Sequence, residues 1–360
     1  MSSQLLQSYL SLVKKFLPAK SQEPSVGLDI GSESVKLVEV TKTGSTYEIL
    51  KWAIAPIEGG NVTAAIKKIL EKAQVETRSP STAVFGKGTL IRYIDLPRMS
   101  LEELKKSFAF EADKYLPFPQ DQIHTDCYIL DPKGKDKKMS VLVAAAKKEV
   151  IGERLQLLTN AGLQASYVGL NSLAIANVFH TLGLGIEDSH EAAASGEIKS
   201  NAIAVLDLGE SVSNLMILKD NLPRFTRDIF IGGQEFAKRV SNVMGVNIAE
   251  AKQLKTNPKG KANEILNACE SLLNNLISEI RLSFDYFITE KNTHISTFYL
   301  TGGNSLLSGI TEVFAKSLDL KVELWNPFTG LKYAPTVSAK ELEANASRLV
   351  VALGLAFYQE

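Results

Sequence analysis

The sequence predicts an α/β protein made of two copies of one large unit that face each other across a cleft, and three turns predict it. Residues 26–36 (VGLDIGSESVK) run an apolar strand into Asp29-x-Gly31 and a Ser-containing turn before a second strand. Residues 206–214 (LDLGESVSN) repeat strand, Asp207-x-Gly209, turn and strand about 180 residues later. Residues 300–305 (LTGGNS) close a further apolar strand on a Gly-Gly pair. A period this long is no solenoid repeat; it reads as a duplicated domain.

The elements follow in order. Residues 25–30, 34–40 and 47–54 read as a β-meander. A helix over 62–73 carries Val62, Ile66, Ile69, Leu70 and Ala73 on one face. Short strands are expected at 82–85 and 90–96. Ser100 and Glu103 form a capping-box pattern before a helix over 101–115, striped by Leu104, Phe108 and Tyr115 and stopped by Pro117 and Pro119. A strand at 125–130, a polar PKGKDKK turn and a buried strand at 141–146 follow, then helices over 149–160 and 173–182. Residues 183–200 show no period and read as a loop. Strands at 202–207, 214–218 and 226–230 restate the opening meander. Helices over 234–244, 248–255 and 262–288, a strand at 297–300, a helix over 306–318 and a last helix over 350–358 complete the chain.

Composition narrows the function classes. The 360 residues hold 45% hydrophobic and 22% charged residues, ordinary for a globular protein. Lys+Arg and Asp+Glu are both 40, so no net field favours nucleic acid or an anionic surface. Cys127 and Cys269 lie far apart without a CxxC, which argues against a disulfide framework or zinc site and for a reducing compartment. No apolar run reaches the length of a membrane-spanning helix. Leu5, Leu6, Tyr9, Leu10, Val13, Phe16 and Leu17 recur at helical spacing before Pro18, an amphipathic segment that could face a membrane, a partner or its own domain. The four histidines are scattered, with no nucleophile or metal-ligand order around them.

The three turns carry chemistry. Glycine lets backbone N–H groups approach a phosphate, and Ser hydroxyls add donors. An Asp at the end of each paired strand can hold a hydrated Mg²⁺ between two turns. Two facing Asp-x-Gly hairpins plus a Gly-Gly turn therefore predict a nucleotide cleft with Asp29 and Asp207 oriented on the cation.

These motifs resemble the actin-like ATPase superfamily, with phosphate-1, phosphate-2 and adenosine turns in that order. VGLDIGSESVKLVEV, IRYIDLPRMSLEELKKSFAFEADKYLPFP, LVAAAKKEVIGERLQLLTNAGL, FTRDIFIGGQEF, YLTGGNSLLSGI and VALGLAF resemble the PilM family of type IV pilus assembly proteins, from the FtsA-like group, over nearly the whole chain. The resemblance implies an actin-like, duplicated ribonuclease H-like fold. Its subdomain 1A would hold 25–88, 139–185 and 325–360, and an inserted subdomain 1C would hold 89–138. Residues 201–235 and 293–324 would form 2A, and 236–292 would form 2B, with a leader at 1–24 and a linker at 186–200.

The same resemblance implies ATP and Mg²⁺ as ligands. Gly31, Ser32, Ser34 and Lys36 match the first phosphate turn; Gly209, Ser213 and Asn214 match the second. Gly302, Gly303 and Asn304 match the adenosine turn, Gly232 and Gly233 a Gly-Gly pair near the nucleotide, and Lys255 a lysine beside the base. Three positions depart from the pattern. Asn171 stands where an acidic side chain is usual; it can hold a water but cannot act as a base. Lys252 replaces a Glu, and Glu210 replaces a small residue. These departures predict ATP binding with slow or absent hydrolysis.

As partners the resemblance implies the N-terminal cytoplasmic peptide of PilN, the pilus platform and its motor ATPases, with the protein cytoplasmic and peripheral at the inner membrane. The peptide would lie between 1A and 1C, near 92–95 and 110–118. The alternatives are an active ATPase and an FtsA-like polymerising membrane tether.

Overall fold

The computed structural model describes residues 23–44, 46–132, 137–183 and 202–358, the side chains of Ala109 and Phe110 aside. The expected leader helix and the 186–200 linker lie outside the described residues.

The first half opens with β1 (Ser25–Ile30), β2 (Ser34–Thr43) and β3 (Thr46–Pro56), an antiparallel meander. Helix α1 (Val62–Ala73) starts where Asn61 Oδ1 accepts the Ala64 N–H at 2.9 Å and lays Ala65, Ile66 and Ile69 on the meander. Strand β4 (Ser81–Val84) then runs parallel to β1.

A small subdomain is inserted next. It contains β5 (Thr89–Pro97), α2 (Leu101–Glu111), β6 (Ile123–Ile129) and β7 (Lys138–Lys147). Ser100 and Glu103 do form the capping box: Glu103 N–H donates to Ser100 Oγ at 3.2 Å and Ser100 N–H donates to Glu103 Oε2 at 2.8 Å. Leu104, Phe108, Ala112 and Leu116 pack against Val141 and Val143. Strand β7 is central, pairing with β5 on one side and β6 on the other. Strand β7 thus pairs with the strands of the inserted unit; Val141, Val143 and Ala145 face its core, while Ala146 packs with Val84 and Leu170 of the first half.

Helix α3 (Lys148–Asn160), β8 (Tyr167–Leu170) and α4 (Asn171–Leu182) return the chain to the first half. The second half contains β9 (Ala202–Leu208), β10 (Ser213–Lys219), β11 (Leu222–Ile229), α5 (Gly233–Met244), α6 (Ile248–Thr256) and α7 (Ala262–Lys291). It continues with β12 (Ile295–Thr301), α8 (Ile310–Leu318) and β13 (Lys321–Leu324). Strand β14 (Lys332–Tyr333), α9 (Ala339–Ala344) and α10 (Val350–Ala356) close on the first half.

The duplication is visible in strand order. The described strands of the large sheets run β14-β3-β2-β1-β4-β8 and β11-β10-β9-β12-β13. In each half an antiparallel meander is extended by two parallel strands, so β1 answers to β9 and β4 to β12. The expected helix over 306–318 is shorter: a 3₁₀ turn spans Gly303–Leu306, and the left-handed Gly309 (φ 82°) delays the α-helix to Ile310. The short β8 and β13 were not expected from the sequence, although β4, equally short, was.

The floor between the halves is apolar. Helices α4 and α10 pack between the sheets, joining Val38 and Val40 of the first half to Val205 and Met216 of the second. The contact is close enough to demand glycine. A Cβ on Gly354 would lie 1.8 Å from the Ala174 carbonyl oxygen, and one on Gly27 would lie 1.9 Å from that of Ala352.

Candidate functional site

Above that floor lies a cavity of about 380 Å³ shared by both halves. Its walls bring together Asp29, Gly31, Ser32, Ser34 and Lys36 from the first hairpin, Asp207, Gly209 and Asn214 from the second, and Gly302, Gly303 and Asn304 from the turn after β12. Asn171, the first residue of α4, and Lys255 of α6 also line it. Gly232, Gly233 and Ser213 do not reach the cavity; all three are buried behind it.

Those three still shape the wall. Ser213 Oγ donates to the Ile231 carbonyl at 2.6 Å, which fastens β10 to the chain leaving β11. A Cβ on Gly232 would lie 2.5 Å from the Glu210 carbonyl oxygen, and one on Gly233 would fall 2.0 Å from Asn304 Oδ1. The glycine pair thus lets the second hairpin turn and the Gly302–Gly303 turn press onto the start of α5. Lys255 locks the same junction. Its ammonium donates to the Gly233 carbonyl and to Asn304 Oδ1, both at 2.7 Å, and Asn304 Nδ2 donates to the Gly209 carbonyl at 3.0 Å. Burial lowers the Lys255 pKa, with the Glu210 and Glu33 carboxylates opposing that shift. Lys255, expected beside a base, is committed to holding three backbone turns in register.

The two acidic residues sit in matched positions with unmatched surroundings. Asp29 pairs in register with Lys36, whose ammonium donates to Asp29 Oδ2 at 2.9 Å. Asp207 pairs in register with Asn214, but the Asn214 amide is turned to Asp228. Burial pushes the Asp207 carboxyl up to about 7, the Asp29 charge adds to the shift, and Lys36 opposes it. Gly302, at φ +88°, brings its backbone against this carboxyl; a Cβ there would meet Asp207 Oδ1 at 2.4 Å. Two carboxylates facing one cavity, one of them short of a cation, form an oxygen donor set that fits a hydrated divalent ion. Among the described residues no group of three or more His, Cys, Asp or Glu gathers, so such an ion would need water or ligand oxygens to complete its shell.

Sequence reasoning missed other lining residues. Ser211 reaches the cavity from within the second turn, and Ser347, Arg348 and Val351 reach it from a segment without a motif. Lys252 and Glu210, noticed as departures, turn out to be partners: Lys252 Nζ lies 2.7 Å from Glu33 Oε1 and 3.2 Å from Glu210 Oε1. That pairing spans 219 residues of sequence in its Glu33 arm, which no local pattern could signal.

A second, more apolar groove of about 320 Å³ runs between the inserted subdomain and the first half, with Asn221, Leu222 and Pro223 of the second half at its edge. Cys127, Tyr128, Leu142 and Ala144 form one wall; Tyr167, Leu173, Asn177 and Tyr358 form much of the other. The stretch 92–95, expected near such a groove, is not part of it; Arg92 instead borders a separate pocket of about 290 Å³ with Lys87 and Phe230. Phe108 and Leu116 are buried in the core of the subdomain, and the Phe110 side chain lies outside the described residues. No described helix is long and apolar enough to cross a membrane.

Comparison with known proteins bears on the whole chain. The structure of a PilM-PilN type IV pilus biogenesis complex is similar over 92% of this chain and 97% of that one, at 25% identity and a TM-score of 0.77. The ethanolamine utilization protein EutJ from Carboxydothermus hydrogenoformans is similar over the full length of both chains, at 16% identity and a TM-score of 0.52. The family model for type IV pilus assembly protein PilM matches residues 27–360. Mirrored meanders around one cleft and a match over that span agree: this chain is an actin-like member of the family of type IV pilus assembly protein PilM.

Proposed function

We propose that the chain is a nucleotide-loaded scaffold of the type IV pilus platform, binding ATP with Mg²⁺ in the cleft and an N-terminal peptide of PilN in the apolar groove. The observation that carries the first half of this reading is that Asp29 and Asp207, from hairpins 178 residues apart, line one cavity. Bound Mg²⁺ would neutralise phosphate charge beside these two carboxylates. Asp29 and Asp207 would orient its waters, Ser32 and Ser34 would donate to phosphate oxygens, and the Gly302–Gly303 turn would leave room for the nucleoside. Asn171 lines the cleft as an amide, so it orients water without accepting its proton, and hydrolysis is slow or absent. ATP then acts chiefly as a structural ligand that stabilises the closed form by mass action.

The groove supports the partner half. It is apolar, it lies where the inserted subdomain meets the first half, and a PilM-PilN complex shares this chain's architecture over nearly its whole length. In this reading the protein is cytoplasmic and held at the inner membrane through its partner, within reach of the platform and its motor ATPases. Calorimetric titration with the PilN N-terminal peptide and Mg²⁺-ATP tests both halves. Dissociation constants near or below about 1 μM are expected for the peptide. Tyr128→Asp, at an exposed groove position, is expected to weaken peptide binding at least about tenfold while leaving nucleotide binding intact. Absence of peptide binding with ATP present would remove the partner assignment. Steady phosphate release that disappears in Asp207→Ala would replace the scaffold with an active ATPase.

A further inference from the structure

We propose that Glu33, Lys252 and Glu210 form an electrostatic latch that holds the two halves together at the mouth of the cleft and limits how fast the cleft exchanges its ligand. This inference rests on the nucleotide reading for what is exchanged, but the latch itself is a contact between protein side chains.

The three residues come from three segments. Glu33 sits in the turn between β1 and β2, Glu210 in the turn between β9 and β10, and Lys252 on α6. One ammonium therefore ties the first half to two separate pieces of the second, at 2.7 and 3.2 Å. Beside it Ser32 Oγ and Ser211 Oγ lie 2.8 Å apart, a second polar bond between the same two turns. The floor of the cleft, by contrast, is the apolar packing of α4 and α10. Separating the halves at the mouth thus breaks ion pairs and a hydroxyl contact, while the floor can stay packed as a hinge.

The charge balance makes Lys252 the controlling group. Two carboxylates share one ammonium at salt-bridge distance. Glu210 Oε1 is buried and has no hydrogen-bond donor of its own, so the nearby ammonium is its compensation. The other cations of the cleft make their hydrogen bonds elsewhere, Lys36 with Asp29, Lys255 with Gly233 and Asn304, and Arg348 with Asn345, although the Lys255 and Arg348 charges still act on Glu33. Removing the Lys252 charge leaves Glu33 and Glu210 facing each other across the mouth, a repulsive pair where an attractive one stood. Side chains of Lys252 and Glu33 that are 32% and 44% exposed keep the pair weak enough to release.

The test measures the distance between the halves in the full chain without nucleotide. Spin labels on Lys67→Cys of α1 and Lys238→Cys of α5 occupy exposed positions, while the native Cys127 and Cys269 are buried. Lys252→Glu is expected to shift the distance distribution to longer values, and the swap Glu33→Lys/Lys252→Glu to restore it. Glu33→Gln, a milder change, is expected to shift it in the same direction. In the same variants a fluorescent ATP analogue is expected to leave up to about fivefold faster from Lys252→Glu, the equivalent of one exposed ion pair, and at the parental rate from the swap. A folded Lys252→Glu protein with the parental distance distribution would overturn the latch. Failure of the parent to bind ATP in calorimetry would instead overturn the nucleotide reading and leave the distance result to stand by itself.

Discussion

The two hairpins facing the cleft share sequence pattern, strand order and register, and differ in how each keeps its acid. Asp29 stands opposite Lys36 and is held as an ion pair. Asp207 stands opposite Asn214, which serves Asp228, and its carboxyl is raised to about 7. They differ underneath as well. Two residues before Asp29 lies Gly27, on which α10 rests directly; two residues before Asp207 lies Val205, a side chain of the core between the sheets. A duplicated motif has thus been divided into a first copy seated on a helix with its charge balanced, and a second copy with its charge unbalanced, both acids being buried. An unbalanced buried acid costs stability in the ligand-free protein, and a bound cation offsets that cost.

Exchanging residues between the copies breaks the comparison most sharply. Gly27→Val gives the first hairpin the side chain of the second, but its Cβ would overlap the Ala352 carbonyl. The expected loss is about 4 kcal/mol or more, seen as insoluble or thermally unfolded protein. Asp207→Asn is next. Its side chain stays neutral, as the protonated acid would, so it escapes the stability that the parent loses as pH rises from 3.8 through about 7. Above pH 7 the variant is therefore expected to be more stable than the parent by up to about 4 kcal/mol in denaturant melts. The same variant should lose Mg²⁺-dependent ATP affinity by roughly 100-fold in calorimetry. A variant that is less stable at pH 8 would contradict the account of Asp207.

Lys36→Ala makes the first hairpin resemble the second by stripping Asp29 of its cation. Destabilisation of about 1–3 kcal/mol is expected in denaturant melts. Ser32→Ala tests the smallest difference. It removes one exposed hydroxyl contact with Ser211, so stability should change by less than about 0.5 kcal/mol while nucleotide affinity falls severalfold.

Much of this molecule can be read from local pattern. Turn glycines, strand-terminal acids and the Ser100–Glu103 cap declare themselves within a few residues, because backbone sterics and capping hydrogen bonds act over that range. The duplicated meander and the three turns meeting at one cleft follow from those signals, while the inserted subdomain follows from the family resemblance. Tertiary structure alone decided the rest. Only folding shows that β7 belongs to the inserted sheet, because an apolar run records burial and not the neighbour that buries it. Only folding turns Lys255 inward onto Gly233 and Asn304, leaves Asp207 without a cation, and sets Lys252 between Glu33 and Glu210. The physical reason is range: side-chain charge finds its partner through space, and residues hundreds of positions apart leave no mark on each other's local sequence.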